Sequence, residues 1–396
     1  MDPVRTLDPC SGLVSESSVY VPNSVGLWRT VGVLAGAKAS GFAGAVGAFD
    51  INKRASMTRG AGEAVERFAL IPKQADDVHL LVHQAALEKR IDFVTAGLGR
   101  ASALAYELPW YRAANLANGK ETHMPAPLVD YAPKMTSTAG AANLWDPFFD
   151  PSPNGAASGP SEEFAQLAGI SEVLERDAFL SAWQQQAPLR VVDVPELPDT
   201  PDAAGLLRLL AAGKAVGVMP TLAFVPTEGS PLVTAVCIIT QTAGSRPFAA
   251  VGLKASPDPL RALVGALQEG LQIRELFLAR TPAAVSPTAV TDDDTRAEFW
   301  TTPAAISAMS EWIRSFAPAR LPAQHPAPTV TTLVQHLAQR SIPALWVSLT
   351  HRLPDHIRGM GWVAGKAICP GAVPLTMDET KGLPRPGQSP IPHPLI

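Results

Sequence analysis

Cysteine is scarce in this chain, and its few occurrences exclude a disulfide framework. Only Cys10, Cys237 and Cys369 are present, and no two of them have CxxC spacing. An odd number of scattered thiols in a chain of this length indicates a reducing compartment. The opening residues, MDPVRTLDPC, contain no apolar segment of the kind that a secretory signal requires. We therefore expect a cytoplasmic protein.

Charge is also limited, and neither sign dominates. Charged residues make up 17% of the chain, and 32 basic against 36 acidic side chains leave a formal charge of −4. This balance offers no electrostatic attraction to nucleic acid or to anionic lipid, so we expect neither a nucleic-acid partner nor a membrane. The segment nearest to a membrane span, residues 31–49, carries Lys38 and is rich in Gly and Ala, which favours core structure.

Several common motifs are missing as well. The chain has no Walker A, GxGxxG or GxSxG sequence, so the common nucleotide-binding and hydrolase classes have no support. It also has no internal repeat of solenoid length and no convincing linker. With 46% hydrophobic residues it can bury a sizeable core. We predict a single α/β (α+β) domain over 1–396, with subdomains of approximately 1–150 and 151–396.

Hydrophobic periodicity predicts a mixture of helices and strands. Helices are predicted over 56–70, 75–91, 161–186, 258–280, 296–317 and 329–340. Strands are predicted within 1–50 and over 215–226, 231–242, 247–255, 342–350 and 361–369. Residues 122–162 are predicted to be rich in loops, and the proline-rich stretch 382–396 cannot be helical, because proline lacks an N–H donor and fixes φ.

The sequence Glu-x-x-Glu-Arg occurs twice, at 63–67 and 172–176, each time within an apolar helical pattern. Residues three apart share a helix face, so two carboxylates project together from each helix. Four carboxylates in one cleft would suit Mg²⁺ bound together with substrate phosphates, and the two arginines suit phosphate oxygens. The alternative is a solvated helix with ordinary Glu–Arg pairs. The apolar surroundings, AVERFAL and GISEVLERDAFLSAW, leave little room for a solvated face.

These two segments resemble the paired ATP-site helices of the YcaO family, whose hallmark is E-x-x-E-R in both. The longer match, NGAASGPSEEFAQLAGISEVLERDAFLSAW, is similar to the family's Asn-Gly…Glu-x-x-Glu-Arg-Asp-Ala…Trp pattern. EGLQIR (269–274) resembles a later Glu-x-x-Gln-x-Arg helix of the family. LWVSLTHRL and GWVAGKAICPGAVPL resemble its C-terminal strand pair, and PIPHPLI resembles the proline-rich end of its peptide-modifying members.

The resemblance implies a fold, a reaction class and partners. Members of this family use ATP and Mg²⁺ to phosphorylate a peptide-backbone amide oxygen, after which a nucleophile attacks the amide carbon. A Cys, Ser or Thr side chain then gives an azoline, an amine gives a macroamidine, and sulfide gives a thioamide. The implied protein has mixed sheets flanked by helices, and its nucleotide site lies between the two E-x-x-E-R helices. Its substrate is a ribosomally made precursor peptide; a partner protein that binds the leader peptide and a homodimer stay open.

The resemblance also assigns roles to individual residues. The implied metal ligands are Glu63, Glu66, Glu172 and Glu175. The implied nucleotide-binding residues are these four together with Arg67, Arg176, Glu269, Gln272 and Arg274. In the tail, His393 and the Ile396 carboxylate are placed near the reacting amide by analogy with azoline-forming members. We expect an ATP-dependent enzyme that forms azolines, with macroamidine and thioamide formation as alternatives.

A few positions depart from the family's pattern. Val46 and Phe49 stand where azoline-forming relatives have a Ser-Gly-Gly-Lys-Gly-like stretch. Pro160 and Phe164 replace the Asn and Glu that are usual in the second motif, and Arg59 occupies a turn where a small hydroxyl residue is frequent. These differences leave open whether ATP binds with altered contacts or whether the chain is an inert partner that binds a leader peptide.

Other candidate sites are weaker. His79 and His83 have the i, i+4 spacing of zinc ligands on a helix, but there is no third ligand, so ordinary helix surface or core is expected. The acidic stretch 291–295 is expected to cap the helix that follows it. The lone cysteines are expected to be buried hydrophobic residues.

Overall fold

A computed structural model describes residues 1–37, 44–72, 80–132, 147–192, 200–242, 246–280, 289–383 and 391–396. Its helices are α1 (Pro3–Thr6), α2 (Lys53–Leu70), α3 (Glu162–Gln185), α4 (Pro201–Ala215), α5 (Pro259–Ala279), α6 (Asp293–Phe299), α7 (Pro303–Arg314), α8 (Val330–Gln339) and α9 (Asp355–Gly359). Its strands are β1 (Val14–Tyr20), β2 (Trp28–Leu34), β3 (Ala45–Asp50), β4 (Leu80–His83), β5 (Glu107–Asn115), β6 (Glu121–Pro125), β7 (Ala156–Gly159), β8 (Arg190–Val192), β9 (Thr221–Phe224), β10 (Val233–Gln241), β11 (Phe248–Ser256), β12 (Ala317–Ala319), β13 (Leu345–Ser348) and β14 (Val363–Ile368).

The strands form three sheets, and the fold is mixed α/β as predicted. The first has the order β1-β2-β3, the second β11-β10-β9-β8-β12, and the third β4-β5-β13-β14-β7 with β6 paired to β5. Strand pairs are antiparallel except β8 with β12. The third sheet joins strands from both halves of the chain, because β5 pairs directly with β13. Strands β3, β7 and β11 are terminal members of their sheets.

Helix α5 lies against β10 and β11 at unusually close range. Strand β11 is buried at every position except Lys254, so its apolar residues need a cover on both faces. The close approach depends on glycine: a Cβ atom on Gly252 would lie 2.1 Å from the backbone nitrogen of Gly270. Gly270 in turn faces Cys237 of β10, with its ideal Cβ position 2.8 Å from the thiol sulfur. The helix that carries the EGLQIR segment is thereby fixed against the sheet.

Local sequence signals position the other two motif helices. Asn52 caps the N-terminus of α2, and its side chain accepts a hydrogen bond from the Ala55 N–H at 3.1 Å. Ser161 caps α3 in the same way, accepting from the Phe164 N–H at 3.2 Å. Asn and Ser at such N-cap positions accept hydrogen bonds from backbone N–H groups that the helix itself leaves unpaired. The helices predicted over 56–70, 161–186, 258–280 and 329–340 are confirmed within a few residues.

The helix predicted over 75–91 is wrong for its described part. Residues 80–83 form strand β4, which pairs antiparallel with β5 from Glu107 to Trp110. A short apolar run fits a helix and a buried strand equally well, so pairing with a distant strand decided the outcome. His83 is exposed on this strand, and the helical spacing proposed for a zinc pair does not arise there. His79 lies outside the described residues.

Two further boundaries differ from the prediction. The helix expected over 296–317 is divided into α6 and α7, because Thr302 caps α7 and Pro303 begins it. The strand expected over 215–226 begins only at Thr221, and the preceding helix α4 was not predicted although Thr200 and Pro201 are a start signal. The acidic stretch does cap α6, with Asp292 at the N-cap. None of the described helices has the length and apolar character needed to cross a membrane.

Candidate functional site

Helices α2, α3 and α5 bring the charged residues of the three predicted motifs together. The acidic site is defined here by its five glutamates, Glu63, Glu66, Glu172, Glu175 and Glu269. Helices α2 and α3 are close enough for their charges to interact: the carboxylate of Glu172 on α3 raises the pKa of Glu66 on α2. Arg176 on α3 lies 3.5 Å from the Glu269 carboxylate on α5. Residues more than two hundred positions apart in sequence therefore share one site.

The edges of two sheets hold the α2 glutamates in place. Gly47 on the terminal strand β3 donates its backbone N–H to Glu63 Oε2 at 2.8 Å. Ser158 on the terminal strand β7 donates its backbone N–H to Glu66 Oε1 at 3.1 Å, and its hydroxyl is 3.3 Å from the same oxygen. A terminal strand has N–H groups without a partner strand, and a carboxylate is a strong acceptor for them. The two side chains are thereby oriented before any ligand binds.

The edge of the second sheet, strand β11, holds two glutamates, Glu269 on α5 and Glu175 on α3. On β11, the Leu253 N–H donates to Glu269 Oε2 at 2.5 Å. The Ala255 N–H donates to Glu175 Oε2 in the same manner, and Glu175 is only 5% exposed. The acidic site thus lies where the terminal strands of all three sheets converge. One oxygen of each of these carboxylates is fixed by backbone, and the other oxygen of Glu63 and of Glu269 faces an arginine, Arg67 and Arg176 respectively.

The arginines of the two motifs pair with glutamates but keep unused donors. Arg67 Nη2 lies 3.7 Å from Glu63 Oε1, and Arg176 Nε lies 4.0 Å from Glu172 Oε1, beyond hydrogen-bond distance. Within the described residues, Arg67 Nη1 and Arg176 Nε are buried and have no hydrogen-bond acceptor. A buried donor without an acceptor costs about 1–3 kcal/mol. Oxygen atoms of a bound anion such as phosphate would remove that cost.

Four carboxylates of the site, those of Glu63, Glu66, Glu172 and Glu269, have elevated pKa values because burial disfavours their charged form. Burial, reinforced by the neighbouring carboxylates of Glu172 and Glu63, raises the pKa of Glu66 to about 8. The pKa values of Glu63, Glu172 and Glu269 are raised as well, in each case chiefly by burial. Arginine neighbours oppose this effect without cancelling it. The site therefore lacks positive charge, and a divalent cation would supply it.

The glutamates do not form a preassembled metal cage. Across the described parts of the chain, no group of three or more His, Cys, Asp or Glu side chains is arranged to hold a metal ion by itself. Mg²⁺ bound with nucleotides is commonly held by one or two carboxylates plus phosphate oxygens and waters, so a complete cage is not required. The hard oxygen donors of Glu63, Glu66, Glu172 and Glu175 fit this ion, and their assignment as its ligands stays a prediction.

Gln272 and Arg274 of the EGLQIR segment have different surroundings. Gln272 Oε1 accepts the backbone N–H of Phe49 at 3.3 Å, which ties α5 to the edge of the first sheet. Arg59 Nη1 donates to the Phe49 carbonyl at 3.3 Å from the α2 side. Arg274 is 8% exposed and pairs with Glu275 at 2.8 Å, while its Nε is buried without an acceptor among the described residues. Their roles as nucleotide contacts stay predictions.

Apart from Arg59, the positions that depart from the family pattern offer no polar side chain to the site. Val46 and Phe49 are buried, at 3% and 7% exposure, and both pack in hydrophobic cores. Pro160 is exposed just before α3. Phe164 is 51% exposed, and its ring lies over Gly159, whose ideal Cβ position is 2.2 Å from Phe164 Cδ1. Two of the replacements therefore serve the core, and two lie at the surface.

The C-terminal segment is held at α6. His393 is 6% exposed, and its Nε2 lies 2.7 Å from the Thr376 carbonyl oxygen. Its own carbonyl accepts from Arg296 Nη1 at 3.1 Å and from Trp300 Nε1 at 3.0 Å. Ile396 packs against the large core cluster that includes Trp300. The roles proposed for His393 and Ile396 near a reacting amide stay predictions.

Motif analysis missed further groups at the site. The Arg67 guanidinium lies 5.7 Å from the centre of the Tyr131 ring. Burial lowers the pKa of Arg67, but the Glu63 carboxylate, Tyr131 and Asp293 outweigh it and raise the value. Lys366 is 2% exposed, and burial lowers its pKa to about 7 although Asp130 opposes this. Of these groups, only Asp293 belongs to a pattern that is visible in the sequence, the acidic stretch 291–295. No sequence pattern marks Tyr131 or Lys366.

Comparisons with known proteins identify the family of this chain. The model of the YcaO family, described as a cyclodehydratase that binds ATP and Mg²⁺, matches residues 50–373. An uncharacterised protein of Methanothermobacter thermautotrophicus is 29% identical over 238 residues, which is 60% of this chain and 56% of that protein. The matched region thus spans little more than half of this relative.

Solved structures share the fold. A heterocyclase in complex with substrate and cofactor has a TM-score of 0.74 at 16% identity, over 100% of this chain and 57% of that chain. YcaO from Methanopyrus kandleri, bound with AMPPCP and Mg²⁺, has a TM-score of 0.67 at 16% identity, over 98% and 93% of the two chains. The Escherichia coli microcin synthetase McbBCD complex with pro-MccB17 bound has a TM-score of 0.64 at 12% identity, over 89% and 87%. Identities this low carry the fold alone. The family model, which matches most of the chain, shows that the chain belongs to the YcaO family.

Proposed function

We propose that this protein uses ATP and Mg²⁺ to activate a backbone amide of a ribosomally made precursor peptide, forming an azoline by cyclodehydration. The observation that carries the proposal is the acidic site itself. Five glutamates, of which Glu175 is buried and the other four are partly buried, stand beside two arginines with unused buried donors. A magnesium nucleotide supplies both the missing cation and the missing acceptors. Membership of the family supports the same conclusion.

Each residue has a distinct task in this proposal. Glu63, Glu66, Glu172 and Glu175 would hold Mg²⁺, and the backbone N–H groups of Gly47 and Ser158 keep two of these carboxylates oriented. Arg67 and Arg176 bind non-bridging phosphate oxygens. Bound Mg²⁺ neutralises charge on the phosphates. No protein nucleophile is needed, because phosphoryl transfer depends mainly on positioning and on charge stabilisation.

The proposed reaction balances without a further reagent. The amide oxygen attacks the γ-phosphorus of ATP, and ADP leaves. A Cys, Ser or Thr side chain of the peptide adds to the activated amide carbon, and phosphate then departs with the original amide oxygen. The peptide loses one water, and ATP becomes ADP and phosphate. The complexes of the similar heterocyclase with its substrate and of the microcin synthetase with pro-MccB17 support a peptide as substrate.

Other outcomes are distinguished by the peptide product. Macroamidine formation shares the activation step and also releases water, but it joins an amine to the amide carbon and closes a ring. Thioamide formation exchanges oxygen for sulfur. An inert partner that only binds a leader peptide is disfavoured, because the replaced positions Val46 and Phe49 pack in cores and leave the glutamates in place. We therefore favour an amide-activating enzyme over an inert partner.

The test is an incubation of the protein with candidate precursor peptides, Mg²⁺ and ATP, followed by peptide mass and phosphate release. Loss of one water per phosphate released, with the modified Cys, Ser or Thr located by fragmentation, supports the proposal. No binding of Mg·ATP in calorimetry would refute it and leave the inert-partner hypothesis.

Replacing a site carboxylate should abolish turnover. We expect Glu66→Gln and Glu175→Gln each to reduce the rate by at least about 100-fold, because each removes a charge that positions the metal and phosphates. Glu163→Gln, at an exposed position in the first turn of the same α3 helix, is the matched control and should keep the wild-type rate. Activity retained by both site variants would contradict the assignment.

A further inference from the structure

We infer that Lys254 is an additional phosphate-binding residue of this site, with its ammonium group bound to a phosphate oxygen of the nucleotide. No motif of the sequence marks this lysine. The inference rests on the proposed function, since it assumes that the acidic site binds a nucleotide. It is carried by the position of Lys254, by the path of its side chain and by its lack of a pairing carboxylate.

Lys254 lies between the two residues that hold glutamates at the edge of the second sheet. Its neighbours Leu253 and Ala255 donate their backbone N–H groups to Glu269 and Glu175. Lys254 is the single exposed residue of strand β11, whose other positions are all buried. Its backbone is therefore fixed at the acidic site, and its side chain leaves the sheet at the same place.

The side chain follows a path that a glycine keeps open. Gly265 lies on α5 one turn before Glu269, and a Cβ atom at this position would be 2.6 Å from Lys254 Cγ. The apolar stem of the lysine thus lies across α5 where any larger residue would collide with it. Long lysine side chains commonly cover apolar surface with the stem and keep the ammonium group in water. Here the stem crosses α5 one turn before Glu269, a residue of the acidic site.

The charge of Lys254 interacts with glutamates of the acidic site, but Lys254 forms no ion pair with them. Burial raises the pKa values of Glu172 and Glu269, and Lys254 is among the cations that oppose this effect. Yet no carboxylate of the described residues lies within the 4.0 Å of an ion pair with its ammonium group, whereas Arg176 pairs with Glu269 at 3.5 Å. Lys254 is therefore close enough to interact with the charges of Glu172 and Glu269, and its ammonium group is available to bind another anion.

Phosphate is the ligand that fits this group. The ammonium group repels Mg²⁺, so it cannot be a metal contact, and it adds a third cation to the buried donors that Arg67 and Arg176 offer to phosphate. A lysine on a flexible stem binds phosphate as a point charge with three donors, and it can follow an oxygen atom as the ligand moves. An acidic residue of the peptide is the alternative anion, and the experiment separates the two.

The experiment is calorimetric titration of the whole protein with Mg²⁺ and a non-hydrolysable ATP analogue, and separately with ADP and adenosine. For Lys254→Met we expect about tenfold weaker binding of the ATP analogue, since a hydrogen bond to a charged group is lost. Lys254→Arg keeps a cation and should stay within about twofold of the wild type. Lys120→Met, at an exposed turn far from the motif helices in sequence, is the control and should change nothing.

The outcomes are distinct from those of the proposed function. Adenosine has no phosphate, so its affinity should be the same for Lys254→Met and the wild type. An equal loss for adenosine, or no loss for the ATP analogue, would overturn the inference while leaving nucleotide binding intact. A raised KM for the peptide with unchanged nucleotide affinity would assign Lys254 to the peptide and overturn it too. If the wild type binds no nucleotide, the proposed function fails first, and the inference fails with it.

Discussion

Glu66 shows how a single residue takes its properties from the rest of the chain. Its place in the E-x-x-E-R motif predicted a helix face shared with Glu63, but not its hydrogen bond to Ser158, which lies 92 positions away. Burial and two neighbouring carboxylates raise its pKa from an ordinary 4.5 to about 8. At neutral pH the side chain is therefore mainly protonated until a cation binds. The motif identified Glu66 as a site residue, but its raised pKa depends on the folded surroundings.

The pH dependence of stability follows from this pKa. The folded ligand-free protein keeps a proton on Glu66 that the unfolded chain releases near pH 4.5. The stabilisation is full below about pH 4.5 and is lost as the pH rises through about 8, so the free energy of unfolding should fall over that window. Glu66→Gln resembles the protonated form and should show a weaker decline. Urea unfolding across the window measures both proteins, and identical slopes would contradict the raised pKa.

Addition of Mg²⁺ and nucleotide should also release protons, because a bound cation favours the ionised carboxylate. Calorimetry in two buffers of different ionisation enthalpy gives the number of protons released. The same titration of Glu66→Gln should release fewer.

At the scale of elements, the contact between α5 and β11 is the one that the site depends on most. Both elements were predicted from their apolar patterns, and both are confirmed. Their close contact was not predicted, because the glycines that permit it, Gly252 and Gly270, lie 18 residues apart in different elements and form no local motif. Close packing brings Glu269 within reach of the Leu253 N–H. Interior packing of this density tolerates little added volume.

Adding one methyl group at this contact should therefore be costly. Gly252→Ala would place a Cβ atom 2.1 Å from the Gly270 nitrogen, so α5 must move away from the sheet. We expect a loss of about 2–3 kcal/mol in the free energy of unfolding, measured by urea denaturation. Gly205→Ala on helix α4 is the control, because the atom nearest to the ideal Cβ position of Gly205 is 3.8 Å away. This substitution should be neutral or stabilising. Equal effects of the two substitutions would show that the contact is looser than described.

At the scale of the whole molecule, the C-terminal segment is joined to distant elements by buried polar groups. Arg296 is fully buried, and its guanidinium donates to the carbonyls of Thr376 at 2.6 Å, Met377 at 3.1 Å and His393 at 3.1 Å. Trp183 Nε1 on α3 also donates to a carbonyl of this segment, at Ile391. The resemblance predicted a proline-rich tail that reaches toward the site, but not how it is held. The structure shows an anchor built on α6 and α3.

Removing this anchor should destabilise the protein. Arg296→Met removes a donor from three buried carbonyl oxygens, leaves that of Met377 without the contact it has here, and leaves Glu379 without its 2.9 Å ion pair. We expect a loss of about 3 kcal/mol in the free energy of unfolding and faster proteolysis after residue 390. Arg314→Met, whose side chain is 70% exposed, should change stability by less than about 0.5 kcal/mol. If the two variants are equally stable, the anchor contributes nothing measurable.

The sequence by itself determined what depends on neighbours a few positions away. The i, i+3 spacing fixed which glutamates share a face of α2 and of α3, and capping residues such as Ser161 fixed where a helix begins. Only the tertiary structure decided what depends on partners far along the chain. Pairing with β5 made a strand of residues 80–83, and three converging sheet edges gave the glutamates their backbone donors. The reason is physical: helix periodicity is a local property of the chain, whereas a sheet edge exists only once distant strands have paired.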